Sequence, residues 1–160
     1  MPYSPEGDVY VRAADAVVLS NSTLAVTELD TQGYGGHDYV EFVLLIGTPS
    51  DTAAIGAFTI LGGDTSADNS VTVASHAAIA AHATNNDNKT VRINIDLKAA
   101  GVRFMDCTNF TETATQNFEV EAAFWVLKRA RTTPSTAVND SVFAGSGADQ
   151  YMPGSPVVAT

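Results

Sequence analysis

Three long segments of the chain alternate apolar and polar residues with a period of two, and that pattern removes most folds from consideration. In residues 39–46, Val40, Phe42, Leu44 and Ile46 share one face. In residues 90–97, Val91, Ile93, Ile95 and Leu97 face one way, while Arg92, Asn94 and Asp96 face the other. A helix would need apolar residues three or four apart. Alternate spacing belongs to a strand with one side buried and one side wet. The third segment is residues 118–127. There Phe118, Val120, Ala122, Phe124 and Val126 alternate with Glu119, Glu121, Ala123, Trp125 and Leu127. Its second half is apolar on both faces, as expected of a strand covered on both sides.

Shorter apolar runs at residues 16–20, 24–29, 57–61, 70–75 and 102–107 suit strands as well. Between the runs lies turn chemistry: residues 33–36, 62–64 and 85–88, and Gly101. About eight short antiparallel strands at this spacing predict an all-β fold, a β-sandwich, jelly roll or small barrel. No strand–helix alternation exists, which excludes a doubly wound nucleotide-binding sheet. The Ala-rich stretch 76–83 is expected to be a short helix or a loop.

Both ends read as arms. Residues 1–12 carry Pro2, Pro5 and Gly7 without a periodic apolar pattern. In residues 132–160, Pro134, Pro153, Pro156, Gly145, Gly147 and Gly154 disfavour regular structure. Apolar residues interrupt that segment at Val142, Phe143, Tyr151, Met152, Val157 and Val158, and apolar residues on an arm need a surface to land on. The expected organisation is an N-terminal arm (1–12), a β-sandwich domain (13–131) and a C-terminal arm (132–160).

Composition narrows the function. At 160 residues one domain is expected. Eight Lys and Arg against 18 Asp and Glu give a net charge of −10. Coating nucleic acid or docking on anionic lipid needs a cationic footprint, so neither is an expected partner. No apolar stretch approaches the roughly 20 residues of a spanning helix. The first residues lack a cationic start followed by an apolar run, so synthesis in a cytoplasm without export is expected. Four Asn-x-Ser/Thr triplets, at Asn21, Asn88, Asn109 and Asn139, are attributed to chance in a chain rich in these residues.

Catalytic patterns are missing. A single Cys, Cys107, rules out an intrachain disulfide and is expected to be a small buried filler. His37, His76 and His82 show no ligand spacing and read as loop histidines. Residues 64–70 begin like a calcium loop, but the glycine and glutamate that such a loop wants are replaced by Asn69 and Ser75. They read as an Asx-rich turn. Glu119 and Glu121 lie two apart on one strand, roughly 7 Å from each other, and read as a wet strand face rather than an acid/base pair. No enzyme activity, cofactor or metal is expected. Lys128, Arg129 and Arg131 form a basic cluster that is either a contact for an acidic surface or a solvated strand end.

One arrangement of residues has a familiar order. Residues 33–47 (Gly-Tyr-Gly-Gly-His-Asp, then a hydrophobic strand ending in Gly47) are followed by strand 58–61 and the acidic turn 63–68. Strand 91–97, the Arg-aromatic strand 102–106 and the long strand with a basic end and proline, 123–134, complete it. Over residues 31–134 this order resembles small structural proteins encoded near the major capsid protein of tailed bacteriophages. The usual Gly-Tyr-Asp turn is stretched here, and segment 74–88 is longer. The resemblance implies a capsid decoration (cement) protein of β-sandwich or jelly-roll type on the outer surface of the virion. It implies a homotrimer that bridges and stabilises major capsid protein subunits. The expected subunit or capsid contacts are Phe124, Trp125, Leu127, Lys128, Arg129, Arg131, Phe143 and Tyr151. The alternative is a carbohydrate- or ligand-binding β-sandwich, a receptor-binding or head-spike module, whose exposed aromatics would be Tyr34, Tyr39 and Tyr151.

Overall fold

A computed structural model describes residues 8–34, 37–81 and 88–128, and the backbone of residues 139–145 and 148–152. The elements are β1 (Val9–Ala14), β2 (Val17–Leu19), β3 (Leu29–Asp30), β4 (Tyr39–Ile46), β5 (Phe58–Gly63), β6 (Val71–His76), β7 (Thr90–Asp96), α1 (Leu97–Ala100), β8 (Phe104–Asp106), β9 (Phe118–Lys128), β10 (Asn139–Gly145) and β11 (Ala148–Met152). No helix among the described residues is long and apolar enough to cross a membrane.

Two antiparallel sheets face each other. The first has the order β1-β9-β4-β7, with β2 also on β9, and the second has the order β3-β8-β5-β6. Because β1 and β2 both pair with β9, they act as one bent strand. The pairing is then nested. β1 lies beside β9, β3 beside β8, β4 beside β7 and β5 beside β6. A long antiparallel hairpin rolled into two sheets has this winding, which makes the sandwich a jelly roll. The three segments with clear alternation are β4, β7 and β9, the centre and one side of the first sheet. Residues 9–12 of the expected N-terminal arm belong to β1.

The inward faces form one core. Val40, Phe42, Leu44 and Ile46 of β4 and Val91, Ile93 and Ile95 of β7 are buried as the alternation requires. Phe42 lies against Trp125 at 4.7 Å between ring centroids, and Trp125 Nε1 donates to the Thr27 carbonyl at 2.9 Å. Phe110 meets Phe58 and Phe118 edge-on.

In β9 simple alternation fails. Leu45 pairs with Ala122 but Ile46 pairs with Val120, so Glu121 is an extra residue on the β9 side. Such a bulge switches the face that each later residue takes. Phe118 and Val120 point inward before it, and Ala123, Trp125 and Leu127 point inward after it. Phe124 turns to the outer face instead.

Other departures have local causes. Gly62 and Gly63 extend β5 rather than ending it. A Cβ on Gly62 would stand 2.6 Å from the Phe104 carbonyl, so glycine is what lets β8 approach. Residues 77–81 are not helical, and Ile79 pairs with Ile55. The one helix among the described residues, α1, was not expected. Asp96 caps it by accepting from the Lys98 and Ala99 amides, and Gly101 ends it at φ +65°. The expected C-terminal arm contains regular structure: β10 and β11 form a two-stranded sheet of their own, with Gly145 paired to Ala148. Gly145 is the last residue of β10, so it does not prevent that strand.

Candidate functional site

Antiparallel register places four residues in a row across the outer face of the first sheet: Tyr10, Val126, Glu41 and Asn94. The next row is Arg12, Phe124, Val43 and Arg92. Lys128 pairs with Tyr39, one row to the other side. Glu41 therefore sits between two cations on neighbouring strands. Its Oε1 accepts from Arg92 Nε and its Oε2 from Lys128 Nζ, each at 2.5 Å. The carboxylate is 2% exposed although it is on the face away from the core. Burial pushes the Glu41 carboxyl up, yet the hydrogen bonds and charges of Arg92 and Lys128 together outweigh burial and hold it below the usual carboxylate range.

This triplet borders a groove of about 600 Å³ lined also by Tyr10, Val43, Asn88, Lys89, Thr90 and Val126. Tyr10 is 68% exposed and forms an aromatic wall. Asn88, at φ +54°, positions the start of β7 beside the groove, and its amide donates to the Gly47 carbonyl at 2.7 Å. The lining carries Lys89, Arg92 and Lys128 against one carboxylate. Three of the eight cations of the chain thus meet on one face of an acidic protein. A second cavity, about 460 Å³, lies between β1–β2 and residues 22–27 and is lined mainly by small residues.

The expected contact residues separate. Trp125 and Leu127 are 0% exposed in the protein's own core, so neither is a surface contact. The bulge at Glu121 is the reason: it turns both inward. Phe124 is half-buried on the outer face, and Lys128 is engaged by Glu41 at the groove. Arg129 and Arg131 lie outside the described residues. Phe143 and Tyr151 fall on β10 and β11, whose side chains are outside the description. Of the aromatics named for a ligand site, Tyr34 is exposed and Tyr39 is half-buried on β4.

The other reactive groups are in structural roles. Cys107 is buried, and burial pushes its thiol up to about 12, far from a reactive thiolate. His76 is not a loop histidine. It is buried, stacks on Phe58 at 4.8 Å, and its Nδ1 lies 2.7 Å from the Ala77 carbonyl. Desolvation holds its pKa below the ordinary value. His37 precedes β4 and is half-buried, and His82 lies outside the described residues. Residues 64–70 form the turn between β5 and β6. Ala67 takes φ +63°, and Glu28 binds the Ser66 hydroxyl and the Ala67 amide at 2.7 Å each. Glu119 accepts from the Thr48 amide, while Glu121 is exposed at the bulge. Among the described residues no group of three or more His, Cys, Asp or Glu is placed to hold a metal ion.

Sequence reasoning missed Glu41, Arg92, Lys89 and Tyr10. One signal was present: Glu41 is the single charge inside the apolar run of β4, and antiparallel pairing of β4 with β7 brings it within reach of Arg92. Comparison with known family models and with curated proteins finds no match for the chain. The fold therefore defines the class, an all-β two-sheet sandwich.

Proposed function

We propose that the chain is a non-enzymatic virion structural protein that decorates a tailed-phage capsid and bridges major capsid protein subunits, as a homotrimer on the outer surface. The observation that carries this reading is the jelly-roll winding, a fold that recurs in viral capsid and lectin domains. Fold alone does not assign function, and the site chemistry adds weight. The two carboxylates most sealed from water among the described residues, Glu41 and Glu112, are each occupied by structural bonds. A chain of this kind acts through its surface. The hairpin β10–β11 is a sheet of its own, and β10 packs beside β7 at the edge of the first sheet.

The test is the native mass of the full chain and of a variant lacking residues 132–160, together with cosedimentation of each with phage heads assembled without the protein. A trimer that sediments with heads, and a truncated form that still unfolds cooperatively but loses one or both properties, is the expected result. Unchanged mass and unchanged head binding after truncation would refute a bridging role for that segment. A full chain that binds no heads would refute the proposed function. The second reading, a glycan-binding module, is favoured by the exposed rings of Tyr10 and Tyr34. Hits on a glycan array that vanish in Tyr34→Ser would move it ahead.

A further inference from the structure

We infer that the β10–β11 hairpin guards the edge of β7, and that this edge, once uncovered, is a docking surface for β7 of a second copy of the chain. An edge strand presents a row of backbone groups on which another strand can add. Among the described residues four edges bound the two sheets: the β1–β2 strand and β7 on the first, β3 and β6 on the second. Three are broken by their own residues. β1 carries an extra residue, Ala13, between the pairs Arg12–Phe124 and Ala14–Ala123, and Arg12 is ion-paired with Asp15 at 2.6 Å. β3 is two residues long. β6 carries an extra residue, Val73, between the pairs Ala74–Ile60 and Thr72–Leu61. Bulges, charges and very short strands are the means by which sheets blunt an edge.

β7 is neither bulged nor short. Its seven residues, Thr90–Asp96, pair with β4 in unbroken register from Asp96–Tyr39 to Thr90–Leu45. This is the edge beside which β10 packs, without joining the first sheet. A two-stranded hairpin is marginally stable alone, so its seat on β7 steadies the hairpin as well. β7 is also complementary to itself. Antiparallel pairing of two copies about Ile93 sets Val91 opposite Ile95, which continues the buried row. On the other face it sets Arg92 opposite Asn94 and Thr90 opposite Asp96, and no like charges meet. On a chain of net charge −10, β7 carries one charge of each sign, so two copies meet there without the repulsion that the acidic remainder imposes. The hairpin is therefore an autoinhibitory cover, and it works in the same way whatever the chain decorates.

Hydrogen exchange of residues 90–96, with native mass over a concentration series, tests the guard in the full chain. Successive amides of a strand point to opposite sides, so Phe143→Pro together with Ala144→Pro removes a β10 donor whichever side faces β11. The hairpin shares neither sandwich sheet, so the core is expected to hold, and unchanged fluorescence of the single tryptophan, the buried Trp125, checks this. At low concentration the proline pair is expected to speed exchange at residues 90–96 about tenfold. As concentration rises it is expected to add species at multiples of the wild-type mass. Adding Thr90→Asp sets a carboxylate opposite Asp96 of the other copy, and is expected to abolish those species while leaving the faster exchange. Should the proline pair disturb Trp125, Gln150→Pro on β11, opposite Phe143, repeats the test with the same expected results. Exchange at residues 90–96 that the prolines leave unchanged overturns the guard. Faster exchange with no gain in mass overturns the docking of a second copy. Heavier species that survive Thr90→Asp form through another surface and overturn it as well.

Discussion

Glu41 and Glu112 are both sealed from water, yet the outer face of the first sheet and the loop end of the sandwich hold them by different means. Glu41 is held by side chains, Arg92 and Lys128, on the two neighbouring strands. Glu112, 0% exposed, is held by the backbone. Its carboxylate accepts from the amides of Asn21 and Ala114 at 2.7 Å each and of Gln116 at 3.3 Å. Burial pushes the Glu112 carboxyl up, but those amides, with that of Ala54, bring it below the usual carboxylate range. The difference lies in what each partner can do when the carboxylate is removed. Arg92 and Lys128 are about a third exposed and can turn into water. Backbone amides fixed in loops cannot. One carboxylate therefore arranges a surface, and the other stitches together the loops after β2 and before β9, where Asn21 and Thr115 sit at φ +47° and +56°.

The largest expected effect follows from that asymmetry. Glu112→Ala strands several buried amides, each costing about 1–3 kcal/mol when left without an acceptor, so a loss of about 3 kcal/mol is expected in urea unfolding. Glu41→Gln keeps an acceptor between two cations that can reach solvent, and about 1 kcal/mol is expected. Should Glu41→Gln cost more than Glu112→Ala, the contrast between side-chain and backbone partners is wrong.

Acid sharpens the same contrast. Both carboxylates titrate lower in the folded chain than in the unfolded one, so their stabilisation is complete above about pH 4.5 and is lost as pH falls through their folded values. His76 also titrates lower when folded, because burial disfavours its cation. For a depressed imidazole, stability is complete above about pH 6.5 and declines as the unfolded chain gains its proton first. Unfolding midpoints measured from pH 7.5 to 5 should therefore decline in the wild type, and His76→Phe should remove that early decline while keeping the later carboxylate loss. A flat profile in the wild type would show that His76 takes its proton without strain. The smallest effect is expected at the surface. Asp30 binds Arg103 through Nε at 3.0 Å and the terminal nitrogen at 2.8 Å, but both side chains are solvated. Asp30→Asn should move the urea midpoint less than any variant above.

Much of this architecture is legible in the residues. The alternation of β4 and β7 names their buried faces correctly, and the turns at residues 33–34 and 64–70 fall between strands. What could not be read is the face switch in β9. A bulge is decided by how the partner strand pairs, and nothing local to Ala122 signals that Leu45 and Ile46 straddle Glu121. Trp125 and Leu127 were therefore expected at an interface, and they are core. The helix α1 was missed for another reason: four residues leave no periodicity, although Asp96 and Gly101 carry its caps.

The groove was missed because its members are remote in sequence. Tyr10, Glu41, Arg92 and Lys128 come from four strands, and only register joins them. By itself, then, the order of residues determined the period-two strands, the all-β class, the acidic charge and the absence of cysteine chemistry beyond one thiol. These are properties of short windows and of sums. The nested pairing of strands, the inward turn of Trp125, the backbone cage around Glu112 and the placing of Arg92 and Lys128 on Glu41 were decided by tertiary structure. Each depends on which strands become neighbours, and that is settled by burial across the whole chain rather than by any stretch of it.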